Sequence, residues 1–459
     1  VSDDKDLITD TVELNSYIKD HDALVTDTYQ DFWNAYSCNS RILDTTLVPS
    51  KSLNKPDYRI ATNYPRYVVD TYNGFARGIP VKVSSDEESV TEFVRHVSDI
   101  NDLDNVNIEI HKAKCIFGEA YQIVYMDEDG EIGTIASDPL ESFPIYNNSI
   151  KPKLRYFVRT YYDEDGNRHG SISDDTHVYY FDISGGEIVY TEQYEHGFPS
   201  VPAIVYTMNS ARIGLVEVIL PMCDALDKII SEKMNDVDSF SDAIMKVIGP
   251  KLTEKQVTDL RDRRIINIDG TEAQNSTVEF LSRQSGDDTQ EHLIDHLIDM
   301  IHTVSMVCNI SDDTFATSSG IALKMKMQTM TNLASGDWLI DRSAMKRFWE
   351  LVFGHAATSV NEEEWSALQF NHTLNYPDDQ SYAADTATKL SGIVSHRTQL
   401  AVLPASIVPD IDKELEQIAK EEEDGTSVDT SDDTTDTSTE SSNISTDTST
   451  EDTQTDLGE

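Results

Sequence analysis

VEVILPMCDALDKIISEKMNDVDSFSDAIMKV, residues 216–247, decides how the rest of the chain is read. Apolar side chains recur at positions 216, 219, 223, 226, 230, 237, 240, 244 and 247, three or four residues apart, and Lys233 stands at the one interrupted place. That spacing puts them on one stripe of an α-helix. Unbroken, such a helix extends roughly 48 Å at 1.5 Å per residue. Pro221 bends or begins it, and Gly249-Pro250 stops it. Asp224, Asp227, Glu232, Asp238 and Asp242 fill much of the remaining surface. A second stripe follows at Ile294, Leu297, Ile301, Val304 and Cys308. Between the two, residues 251–285 form a small insert: a short helix at 253–262, a strand at 265–269, a Gly270-Thr271 turn and a strand at 277–282. The paired stripes are either the core of a helical domain or a projecting hairpin that packs against copies of itself. Their length and the compact tip favour the hairpin.

Outward from this hairpin the periodicities change. Residues 11–37 predict a helix rich in aromatics, and residues 44–60 a polar, proline-containing connection. Helical spacing returns at 64–75, 90–100 and 105–117, with a short strand at 80–83. Strands are predicted at 121–126, 132–136, 154–162, 177–182 and 188–194, with turns at 127–130, 163–166 and Gly185-Gly186. Regular turns with flanking helices predict an α+β region. Beyond the second stripe, polar residues 311–319 precede a helix at 320–334, a break at Ser335-Gly336-Asp337 and a helix at 338–353. Two short helical stretches, separated by Pro404 and Pro409, occupy 380–422.

The chain has 459 residues, 83 acidic and 36 basic, for a formal net charge of −47. Residues 421–459 carry 14 acidic and no basic side chains among many Ser and Thr, a composition that predicts disorder. Without that tail, residues 1–420 still carry −33. This balance opposes non-specific binding to a phosphate backbone or to anionic lipid. No apolar run approaches the length that spans a bilayer, and the first ten residues lack a signal-peptide pattern. Cys38, Cys115, Cys223 and Cys308 are widely spaced without a Cys-x-x-Cys, which predicts reduced thiols and intracellular assembly.

Motifs for chemistry are largely missing. The sequence has no phosphate-binding P-loop, no dinucleotide fingerprint after a strand and no nucleophile elbow. His292 and His296 share a helix face at the spacing zinc proteases use, but Leu293 stands where the general-base Glu belongs. Asp127-Glu-Asp-Gly130 and Asp163-Glu-Asp-Gly166 lack the twelve-residue register of a calcium loop and read as hairpin turns. Lys251, Lys255, Arg261, Arg263 and Arg264 form the clearest basic patch, either a solvated helix face or a docking surface within an acidic chain.

Several stretches carry a family likeness. Val68-Val-Asp70 leads to Gly78-Ile-Pro-Val81; Ala113-Lys-Cys-Ile-Phe-Gly-Glu-Ala-Tyr121 leads to Val124-Tyr-Met-Asp-Glu-Asp-Gly130. Gly197-Phe-Pro-Ser-Val-Pro202 leads through Asn209 to Leu215-Val-Glu217, and Ser319-Gly-Ile-Ala-Leu-Lys-Met-Lys326 is the most specific piece. In order and spacing, over about residues 60–360, these resemble the tailed-bacteriophage portal proteins of the SPP1 type. Leu220-Pro-Met-Cys-Asp224 departs from the family's pattern at the start of the stem.

The resemblance implies an α+β, mainly helical subunit with an α/β wing, a two-helix stem, a small α/β clip, a kinked long wing helix and a helical crown. Its implied parts are an N-terminal helical arm at 1–60, wing at 61–213, stem helices at 214–248 and 286–310, clip at 249–285, tunnel loop at 311–319, wing helices at 320–375, crown at 376–424 and disordered tail at 425–459. It implies a dodecameric ring at one capsid vertex, a channel for double-stranded DNA during packaging and ejection. Implied partners are the terminase large subunit, a head–tail connector or adaptor protein, and the major capsid and scaffolding proteins. No cofactor, metal, membrane or enzymatic activity is implied, and the setting is the virion, with assembly in the host cytoplasm. Ser311, Asp312, Asp313, Thr314, Phe315 and Thr317 would line the narrowest channel, the stem carboxylates would face the bore or solvent, and the basic patch would dock partners. Two other readings stay open: a metal-dependent hydrolase built on His292 and His296, and an acidic soluble protein of a high-salt cytoplasm.

Overall fold

The N-terminal rod begins where Asp10 accepts a hydrogen bond from the Glu13 backbone N–H, 3.0 Å, and caps α1, Thr11–Leu24. A π-helical turn, Val25–Tyr29, and α2, Gln30–Tyr36, continue it, so the helix expected at 11–37 is one rod with a widened turn. The computed structural model describes residues 6–45, 57–128, 130–240, 245–248, 254, 277–280, 287–310, 320–355, 358, 360–376, 380–403, 407–408 and 410–426. By internal contacts the chain divides into two units, Val1–Pro377 and Asp378–Glu459.

In the first unit, α3, Tyr64–Arg77, starts with Pro65 in its first turn, where a missing N–H costs nothing. Strand β1, Lys82–Ser84, α4, Glu88–Ile100, and α5, Leu103–Phe117, follow. Gly118 ends α5 at φ +87°. A Cβ there would lie 1.9 Å from the Arg212 carbonyl oxygen, so only glycine fits.

Two antiparallel sheets come next. β2, Glu119–Met126, is central to a three-stranded sheet between β3, Ile132–Ser137, and β9, Ala203–Thr207. A five-stranded meander runs β4, Ser142–Tyr146, β5, Leu154–Tyr162, β6, Arg168–Ser173, β7, His177–Ser184, and β8, Glu187–Glu195. The sequence reading missed β4, β6 and β9. Pro144 interrupts the first, the second is polar and carries Gly170, and the third sits behind Pro202. Gly170 has a steric reason, because a Cβ would come within 2.4 Å of the Phe181 ring.

Helix α6, Leu215–Phe240, runs through Pro221 and is shorter than expected. Met245–Ile248 is strand β10, paired antiparallel with β11, Thr277–Phe280, so Val247 lies opposite Val278 rather than on the helical stripe. Its β-branched Val247-Ile248 favours the ladder. The second stripe lies on α7, Asp287–Ser305, which also ends early: Met306 turns left-handed at φ +61°, and Cys308 follows outside the helix.

The expected break at Ser335-Gly336-Asp337 is absent. The interruption falls at Met327, between α8, Gly320–Lys326, and α9, Gln328–Phe353. Ser335-Gly-Asp reads as a turn, but Asp337 is buried among cations that hold it within the helix. Strand β12, Gln369–Asn371, closes back on β1. The main core gathers α2, α3, α5, α6, α7 and α9; a second lies between the three-stranded sheet and α4 and α9; a third joins α1 to the meander.

The second unit holds three helices among its described residues, not two: α10, Gln380–Leu390, α11, His396–Leu400, and α12, Ile411–Thr426. Residues 249–253, 255–276 and 281–286, the 311–319 loop and the 427–459 tail lie outside the described residues, and so does almost all of the expected clip and tail.

Candidate functional site

Helices α6 and α7 form a hairpin. The β10–β11 ladder closes it, and Lys233 near the end of α6 bonds Glu291 near the start of α7. Its apolar side chains are unevenly covered, and Val304 of the second stripe is 45% exposed. Near the body, Val216, Ile219, Cys223 and Leu226 are buried, as are Leu297 and Ile301 facing them. Towards the tip, Val237 of the first stripe is 58% exposed, and Met234 and Leu293, which lie off the two stripes, are 43% and 45% exposed. Each is already about half covered, so covering the rest is worth about 1 kcal/mol. These three apolar side chains on an otherwise acidic rod are surface that a single subunit leaves uncovered.

The polar face of α6 behaves differently from its sequence reading. Asp224 accepts from Arg41, 3.1 Å, and is half-buried. Asp227, expected at the bore or in solvent, is 3% exposed. One of its oxygens takes the Ser40 hydroxyl, 2.6 Å; the other takes the Thr62 N–H, 2.8 Å, and the Thr62 hydroxyl, 2.6 Å. One turn on, Ser231 accepts from the Ile60 N–H, 2.9 Å, and one turn further Asn235 brackets Tyr58, accepting from its N–H at 2.7 Å and donating to its carbonyl at 3.1 Å. Four helical residues rise about 6.0 Å and two extended residues about 6.6 Å, so residues 58, 60 and 62 stay in step with 235, 231 and 227. These residues form an extended strap along α6. Only Glu232 and Asp238 of the five predicted carboxylates are exposed, and Asp242 lies outside the described residues. Asp227, Ser231 and Asn235, four apart, were a readable signal for a second buried stripe.

A buried ionic centre pins α9 to α3 and α5. Lys114 of α5 bonds Asp337 and, at 2.6 Å, Asp341; Arg77 of α3 bonds Asp341. His111 shares Nε2 with Asp337 at 2.9 Å and Nδ1 with Asn73 at 2.7 Å, and the Tyr72 hydroxyl donates to Asp337 at 3.3 Å. All four charged side chains are at most 3% exposed. Two cations meet two anions, so the centre is neutral when His111 is neutral. Burial, with Arg77 and Lys114 adding to it, lowers His111 to about 4. Burial acts to lower Lys114, but Asp337 and Asp341 outweigh it and hold the ammonium above its ordinary value. Burial alone would raise Asp337; Lys114, His111 and Arg77 hold it far below the carboxylate range. Sequence reading missed this centre. Lys114 inside the apolar run Ala113–Phe117 was the available signal.

Among the described residues, His111, Asp337 and Asp341 form the one group of three with metal-ligand spacing, and protein cations already neutralise its carboxylates. His292 and His296 are exposed on α7 and join no such group among the described residues. All four cysteines are free. No helix among the described residues is long and apolar enough to cross a membrane.

A family model described as phage portal protein, SPP1 Gp6-like, matches residues 15–427. The chain belongs to this portal protein family. The portal protein of Bacillus phage SPP1 is 22% identical over 398 residues, covering 80% of this chain and 76% of that protein. Portal proteins are structural components of the phage virion, which gives the hairpin a setting. Of the residues read as portal machinery, Ser311, Asp312, Asp313, Thr314, Phe315 and Thr317 lie outside the described residues, as do Lys251, Lys255, Arg261, Arg263 and Arg264.

Proposed function

We propose that the chain is the repeating subunit of a dodecameric ring at one capsid vertex, and that double-stranded DNA passes through the ring during packaging and ejection. The observation that carries this reading is the α6–α7 hairpin, rooted in the subunit core and bare of cover at Met234, Val237 and Leu293. In a ring, each hairpin covers its neighbour's exposed apolar side chains. Glu232 and Asp238 then remain as candidates for an acidic bore, where repulsion keeps phosphates from sticking. Residues 311–319 line the channel, and the 249–285 region with its basic patch docks the terminase large subunit and later a head–tail connector. Contacts with the major capsid and scaffolding proteins fall to the outer α+β region. The subunit hydrolyses nothing itself.

Electron microscopy of the purified chain, viewed down the particle axis, tests this: the expected image is a twelve-fold ring with an open centre. Isolated particles of one subunit at physiological salt contradict it. Shortening 312–317 is expected to block DNA filling without blocking assembly, and filling at the normal level removes the loop from the channel.

A further inference from the structure

A cavity of about 410 Å³ opens between α1 with its π turn and strands β2 and β4. Four irregularities converge on it. The π turn carries Tyr29 to Glu119, hydroxyl to Oε1, 3.0 Å; such turns recur at functional sites. Arg212 stands in the left-handed region at φ +57°, donates from Nη1 to Glu119 Oε2 at 2.8 Å and lies over the Tyr146 ring. Gly118, where no side chain fits, lets the turn carrying Arg212 close against the strand carrying Glu119. Tyr121 is 1% exposed, lines the cavity, and its hydroxyl has no hydrogen-bond partner among the described residues.

The donor and acceptor inventory gives the ligand chemistry. Glu119 already accepts from Tyr29 and Arg212. The Tyr121 hydroxyl remains as a donor on the floor; the Arg212 guanidinium, 42% exposed, also engages Tyr146, and the Asp20 carboxylate stands on the wall. Burial and then Glu119 push the Tyr121 phenol well up, so it keeps its proton. Phe143 and Ile145 supply apolar walls, and the volume lies within the range of small-ligand cavities. We propose that this cavity binds one flat aromatic group bearing a hydrogen-bond acceptor, a carboxylate or a carbonyl. A free aromatic acid and an aromatic side chain with its own carbonyl, presented by another chain, share that chemistry. The inference stands apart from the ring.

Saturation-transfer NMR and calorimetry on the full chain test it with two probes, indole-3-acetate for the free acid and N-acetyltryptophanamide for the chain-borne group. At least one is expected to bind saturably with a millimolar Kd or tighter, and the tighter of the two identifies the source. Tyr121→Phe keeps the ring, removes the hydroxyl and is expected to weaken binding about fivefold. Leu24→Trp, at a half-exposed position on the cavity wall, is expected to abolish it. Absence of saturable binding by both probes, or binding that Leu24→Trp leaves unchanged, overturns the proposal. Unchanged affinity in Tyr121→Phe overturns the hydroxyl's part in it. Should Tyr121→Phe fail to fold, Leu24→Trp carries the test alone.

Discussion

The ionic centre under α9 and the tip of the α6–α7 hairpin contrast in how they are satisfied. The first carries four charges in a dry interior, each matched inside the same chain. The second carries uncharged side chains, Met234, Val237 and Leu293, which water still touches. Charge is therefore completed within the subunit, and in the proposed ring the apolar surface is what other copies cover. Substitution at the centre should act on folding and substitution at the tip on assembly.

Four experiments can break or sharpen that separation, and the background for each is a Val237→Asp, Leu293→Asp double variant, which is expected to stay a single subunit. The largest stability effect is expected from Asp337→Ala. It leaves Lys114 and Arg77 sharing one anion, and denaturant titration should show a loss of about 3–5 kcal/mol. The tip substitutions themselves should change subunit stability by less than about 0.5 kcal/mol, because those positions are exposed. A comparable loss at both places would erase the distinction.

Next in size is the pH response. His111 titrates near 6.5 when unfolded and at about 4 when folded, so the unfolded chain binds the proton first. Its contribution is fully present above about 6.5 and is lost as pH falls towards about 4, up to roughly 3 kcal/mol. His111→Gln should flatten the stability profile in that window; an unchanged slope would show that His111 is already charged in the native state.

Smaller still is the strap. Asn235→Ala orphans the Tyr58 N–H and carbonyl and should cost about 1–3 kcal/mol, with faster hydrogen exchange centred on residues 58–62. Uniform acceleration across the chain would mean that the strap unfolds only with everything else. Smaller than the strap is Glu291→Gln, which removes an exposed partner of Lys233 and should cost under about 1 kcal/mol.

Periodicity made most of this fold legible. The helices at 11–37, 64–75, 90–100 and 105–117 and the strand at 154–162 stand where their spacing puts them, because one face of each meets the core. What escaped was decided by partners distant in sequence. Ser335-Gly336-Asp337 resembles a turn until Lys114 and His111, more than 220 residues away, give Asp337 a reason to be buried in a helix. Asp227 resembles a solvated carboxylate until Ser40 and Thr62 reach it. The α6 stripe read past Phe240 because apolar spacing alone does not separate the end of a helix from the strand that follows it.

The most direct test of the central claim is the mass in solution of the wild-type chain beside the Val237→Asp, Leu293→Asp variant, measured by analytical ultracentrifugation. Twelve subunits of 51.5 kDa, about 620 kDa, are predicted for the wild type and a single 51.5 kDa subunit for the variant. A wild-type chain that sediments as one subunit, or a variant that assembles as the wild type does, would contradict the account.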